Sequence, residues 1–246
     1  MKRFVRPIHK AAVFLLIIPL WSWGQTPDFT AVASLPYQTL QGNFQKVNDR
    51  DGQVDSSSGI FFVKKMDYMY LEVTHPIHQI MVIEGNVTLV YYPERKLAYR
   101  ITSKNPAMLP FVPKLIAALR SEIGFDNLGL KLEKQELLGD TLISYWISPD
   151  PEKNIGRYQM IQVNDQPVQI FYTTPDSMFA SKLVFQNYRP VGDLILPHKI
   201  VSESVSTRGV TIEKVYFSQL KKDVPLPTRV VRFDLPDDVA VEEKEW

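Results

Sequence analysis

Phe44–Val73, FQKVNDRDGQVDSSSGIFFVKKMDYMYLEV, holds two apolar, strand-like runs, a polar loop crowded with Asp, Ser and Gly, and no residue that looks catalytic. Short runs of β-branched and aromatic residues with period-two alternation, bounded by turn formers, are the signature of strands joined by hairpins. The pattern runs through Gly59 to Val63 and Tyr68 to Val73 within this stretch and on through Gln79 to Ile83, Val87 to Tyr92 and Leu97 to Ile101. Glu84-Gly85-Asn86 and Pro93-Glu94-Arg95 punctuate it, so the stretch predicts five strands in an antiparallel meander.

The pattern breaks at NPAMLPFVPKLIAALRSEIGF, where Val112, Ile116, Leu119 and Ile123 recur at helical spacing behind three prolines. This predicts one amphipathic helix, about Pro113 to Ile123, stopped at Gly124. Val112, Leu115, Ile116 and Leu119 are expected to face the sheet, and Lys114 and Arg120 to face water. Strands resume at Leu130 to Leu138, Thr141 to Ile147, Tyr158 to Val163, Val168 to Thr173, Lys182 to Tyr188, Leu196 to Ser204, Thr211 to Phe217 and Val230 to Phe233. Gly139-Asp140, Asn164-Asp165 and Arg208-Gly209 supply turns. A meander this long cannot stay flat, because strand twist accumulates and curls it. The helix is then the natural cover for its concave face.

The N-terminus, MKRFVRPIHKAAVFLLIIPLWSWG, sets Lys2, Arg3, Arg6 and Lys10 ahead of an apolar run from Ala11 to about Leu20 and the small residues Ser22 and Gly24. It reads as a signal peptide over residues 1–24, which leaves residues 25–246 as one exported domain and places the chain in the periplasm. An uncleaved anchor competes with this reading, but the run is shorter than the roughly 20 residues that span a bilayer, so no stable transmembrane anchor is expected. Removing the segment takes four of the 28 basic residues and none of the 27 acidic ones, leaving 24 against 27. So small a charge with scattered basic residues argues against nucleic acid. The absence of cysteine excludes disulfides, thiol catalysis, Cys-ligated zinc and a lipidated Cys, so the fold stands on its apolar core.

Chemistry is sparse. His75 and His78 in THPIH could join Glu72 or Glu84 around a metal, but Pro76 makes the segment a turn, and both read as solvated loop histidines; no metal or cofactor is expected. No Gly-x-Ser-x-Gly pattern appears, and Ser56 to Ser58 read as turn residues. Glu242-Glu243 and Asp237-Asp238 read as solvated surface rather than as catalytic carboxylates. Asn86-Val87-Thr88 matches a glycosylation sequon but is fully accounted for as a hairpin turn. The chain is not expected to be an enzyme.

GNFQKV, a Gly/Asp/Ser loop, G-x-F-x-V-K-K, a strand opening on Tyr, a Pro loop, I-E-G-N-V-x-L-V-Y-Y-P and then a helix resemble the periplasmic carriers that move lipoproteins to the bacterial outer membrane, the LolA/LolB-like superfamily. LPHKI and F-D-L-P-D-D-V-x-V resemble the last strands of that family, so the likeness covers about Gly42 to Val241. The resemblance implies a mainly β fold, an incomplete antiparallel β-barrel covered by a helical lid, around an apolar cavity for acyl chains. Lipoproteins or lipids would be the partners, with transport partners at the inner and outer membranes. Two departures stand out. The Pro-broken segment from Gln25 to Pro36 leaves little room for the family's N-terminal helix, and Tyr70 stands where the well-known carriers have a lid-tying arginine.

The expected cavity residues are Phe61, Met69, Tyr70, Leu71, Met81, Ile83, Leu89, Tyr91 and Tyr99 on the strands and Val112, Leu115, Ile116 and Leu119 on the helix. Aromatic and Met walls adapt to flexible chains better than to a rigid polar metabolite. A protein-interaction or sensing module on the same fold is the alternative, and a hydrolase a more remote one.

Overall fold

The computed structural model describes residues 37–65, 68–103, 114, 130–150, 156–207 and 209–245. Fourteen strands form one open sheet in the order β14-β6-β5-β4-β3-β2-β1-β13-β12-β11-β10-β9-β8-β7. The strands are β1 (Thr39–Arg50), β2 (Gln53–Lys64), β3 (Tyr68–His75), β4 (Gln79–Glu84), β5 (Val87–Tyr92), β6 (Leu97–Thr102), β7 (Lys131–Leu138), β8 (Thr141–Ile147), β9 (Arg157–Val163), β10 (Gln166–Thr173), β11 (Phe179–Val191), β12 (Leu194–Ser206), β13 (Gly209–Lys222) and β14 (Ala240–Glu245). The sheet is an incomplete, barrel-like one whose two edges, β14 and β7, do not meet.

Local sequence explains most of this order. Asp51-Gly52 and Asn164-Asp165 both take positive φ at two successive residues, the geometry that matches strand twist in a two-residue hairpin. The first turn sets Arg50 opposite Gln53 and so fixes the register of β1 on β2 out to Thr39 and Lys64. Two meanders result, β1 to β6 and β7 to β13. They join along a seam where β1 runs antiparallel to β13, with Phe44 opposite Phe217 and Asp49 opposite Ile212.

The predicted helix lies outside the described residues apart from Lys114, as do the signal segment and Val112, Leu115, Ile116 and Leu119. One expectation is corrected at the C-terminus. The strand predicted at Val230 to Phe233 is instead one helical turn, Thr228–Val231, entered from Pro227. Proline favours the first turn of a helix, and so short an apolar run does not tell helix from strand by periodicity. The chain then adds β14, which lies parallel to β6 with Ala240 beside Leu97 and Glu245 beside Thr102. All six β14 residues are exposed, so the hydrophobic alternation that reveals a strand is missing there.

Candidate functional site

Because paired residues of neighbouring strands share a face, the register assigns every side chain to one of two surfaces. The inner face carries the larger apolar cluster: Leu40 and Phe44 of β1, Phe61 and Val63 of β2, Met69, Leu71 and Val73 of β3, and Ile83 of β4. Across the seam it continues through Val215 and Phe217, Leu196 and Ile200, and Leu183 and Phe185. Ile170 links it to a further cluster of Leu130, Trp146, Tyr158 and Met160, so the wall runs without a break from β4 to β8. Gly42 lets the wall close over the seam. A Cβ there would lie 2.6 Å from Leu220 Cδ2 and 3.3 Å from Phe61 Cε1, and the Phe61 and Phe217 rings meet edge to face across β1 at 5.9 Å.

Towards the β1–β2 turn the same face becomes polar. Lys46 lies one pleat beyond Phe44 with its side chain only 8% exposed, and its ammonium is 3.2 Å from Glu213 Oε2. Lys114 donates to Glu213 Oε1. Lys114 was expected to face water; its side chain is instead tucked against the sheet, because a carboxylate far along the chain waits on the inner face of β13. Burial alone would push the Glu213 carboxyl up, but the two ammonium groups outweigh it and hold the carboxyl below its usual range. Ser57 and Ser181 lie buried on this part of the face, and Ser204 Oγ donates to Ser181 Oγ at 3.4 Å.

No family model matches the sequence, and no curated protein does. Solved structures do. A LolA superfamily protein from Nitrosomonas europaea is 15% identical, with 80% of this chain and 90% of that one covered at a TM-score of 0.51. A DUF1329 family protein from Desulfovibrio piger is also 15% identical, covering 80% and 91% at 0.54. A putative outer membrane lipoprotein-sorting protein domain from Vibrio parahaemolyticus is 11% identical, covering 78% and 88% at 0.50.

The chain has a LolA-like fold.

On this LolA-like sheet the expected cavity residues divide between the two faces. Phe61, Met69, Leu71, Met81 and Ile83 belong to the inner wall, and Tyr99 shares that face through its pairing with Val90, the partner of Met81. Tyr70, Leu89 and Tyr91 point the other way, into a second cluster with Phe62, Ile80, Val82, Ala98 and Val230. The cause is the Gly85-Asn86 turn, which sets Glu84 opposite Val87 and hence Ile83 opposite Thr88 rather than Val87 or Leu89.

The outer cluster is covered by the C-terminal strap that runs from Leu226 through Phe233 and Leu235 to Val239. Tyr68 donates its hydroxyl to the Val230 carbonyl, and Phe233 packs against the rings of Tyr70 and Tyr91. Glu72 is the polar anchor, receiving Arg229 at 2.8 Å and the Tyr70 hydroxyl at 3.2 Å, with His78 Nε2 3.2 Å from its other oxygen. Burial opposes ionisation of Glu72, but the hydrogen bonds from Arg229 and His78 win and lower its pKa. Tyr70, singled out by its position in the sequence, thus holds the strap from the outer face. The nearness of His78 to Glu72 is visible in the sequence, though read there as a solvated loop; the Arg229 bond to Glu72 and the Lys46–Glu213–Lys114 group have no sequence signal, since each joins residues far apart in the chain. Among the described residues no three His, Asp or Glu side chains gather as metal ligands, and no helix is long and apolar enough to cross a membrane.

Proposed function

We propose that this protein is a non-enzymatic periplasmic carrier that binds the acyl chains of lipoproteins, or of another lipid, against its inner face and delivers them between membranes. The observation that carries this reading is the unbroken, buried apolar wall on one face of an open, LolA-like sheet. Phe61, Met69, Leu71, Met81 and Ile83 form the part of that wall assigned to acyl contact. Each buried methylene contributes about 0.8 kcal/mol, so a chain of a dozen or more carbons gains enough from such a surface to be held without a covalent bond. Residues 1–24 act as the export signal, and residues 25–246 form the single carrier domain.

The test is mass spectrometry of extracts from protein purified without detergent, followed by displacement of a fluorescent acyl probe from the delipidated protein. Co-purified lipid or acylated peptide together with saturable probe binding supports the carrier. A protein that carries no lipid and binds no probe is instead an interaction module on the same fold.

A further inference from the structure

The inner wall ends in a buried charge imbalance. Two ammonium groups, those of Lys46 and Lys114, share the one carboxylate of Glu213, and the side chains are 8%, 19% and 14% exposed. Among the described residues Glu213 is the only ion-pair partner of either lysine, so the group carries one uncompensated positive charge. The remaining charged side chains that the register puts on this part of the face, Arg50 and Asp55, are exposed, of opposite sign and further towards the turn, so they do not balance it. Buried charges are costly unless paired, and a lysine ammonium has three donors to satisfy.

The position of this charge matters as much as its sign. Lys46 follows Phe44 by one pleat, about 7 Å along β1, and stands opposite Val215 of β13 and Ser57 of β2. Serine hydroxyls flank it on the neighbouring strands: Ser57, which is buried, stands opposite Lys46, and Ser202 stands opposite Glu213. A cation among hydroxyl groups at the end of an apolar wall is matched by an amphiphile with an anionic head.

Taking the acyl-carrier reading as its basis, we propose that the preferred ligand is an acyl chain with an anionic headgroup, a carboxylate or a phosphate, seated between Lys46, Lys114 and the surrounding serines while its chain lies along the wall from Phe44 towards Phe61 and Phe217.

The test compares ligands of one chain length on the delipidated protein: palmitate, lysophosphatidate with a palmitoyl chain, and the neutral monopalmitoylglycerol. Charge-assisted hydrogen bonds predict that the anionic ligands bind about tenfold or more tightly than the neutral one. Lys46→Met, which leaves Glu213 paired with Lys114, should bring the three ligands to within about twofold while neutral binding stays unchanged. Glu213→Gln, which adds to the positive excess, should keep or widen the preference and reports independently if Lys46→Met fails to fold. Tighter palmitate than lysophosphatidate assigns a carboxylate head, and the reverse assigns a phosphate. Equal binding of all three to the wild type overturns the headgroup proposal and leaves the carrier standing. Binding of none overturns both.

Discussion

Met81 and Leu89 sit on adjacent strands, are both half-buried, and point to opposite faces of the sheet, which makes them a matched pair for asking which face holds the ligand. Met81 borders the inner wall and Leu89 the outer cluster beneath the strap. An acyl chain crossing Met81 would place roughly two or three methylenes against it, worth about 2 kcal/mol at 0.8 kcal/mol each. Met81→Glu puts a hydrated carboxylate there, so acyl-probe affinity should fall about thirtyfold. Leu89→Glu should leave affinity within about twofold while lowering stability by about 1 kcal/mol, the share of a half-buried leucine. Probe displacement reads the first effect and thermal unfolding the second, with circular dichroism confirming that both variants keep their strands. Unchanged binding by Met81→Glu together with loss of binding by Leu89→Glu would refute the assignment of the inner face and move the site beneath the strap.

Two further outcomes test the polar groups. Arg229→Ala removes the bond to Glu72 that anchors the strap, but Arg229 is 58% exposed and screened by water, so the loss should be about 1 kcal/mol, a fall in Tm of about 2–4 °C, with increased binding of a hydrophobic dye to the uncovered outer cluster. Glu213 has a folded pKa below its ordinary 4.5, so its ion pairs stabilise the protein above that value and are lost as pH falls through the folded pKa. The Tm gap between wild type and Glu213→Gln should therefore be full at neutral pH and close on acidification below pH 4.5; a gap independent of pH would remove Glu213 from the buried network.

How much of this was legible in the sequence varied from strand to strand, for physical reasons. Val87 to Tyr92 and Thr141 to Ile147 were read at their observed bounds, because dense Val, Ile and Tyr lie between unmistakable turns. Strands β12 and β13 extend beyond their predicted ends, β13 into the largely polar run from Ser218 to Lys222, where alternation hides the pleat. Facing was harder than placement. Around β4 and β5 both surfaces of the sheet are apolar, one under the strap and one on the inner wall, so alternation carries no sign and only the turn sets the parity. The strap itself, the Arg229 bond that ties it to Glu72 and the lysine pair on Glu213 arise from residues brought together by the sheet, and no local pattern encodes them.

The seam between β1 and β13 sets an order of assembly. Each of the two meanders can form from hairpins whose partners are close in the chain, whereas pairing Phe44 with Phe217 closes a loop that spans most of the protein. The edge-to-face contact of Phe61 with Phe217 and the ion pair of Lys46 with Glu213 both straddle that seam. They are therefore expected to form last in folding, and pulsed hydrogen exchange should protect the amides of β3 to β5 before those that bridge β1 and β13. The step that completes the inner wall is then also the step that closes the longest loop, so a folding chain would pass through a stage in which two sticky half-sheets are formed but unjoined, the stage most open to aggregation and most in need of a chaperone.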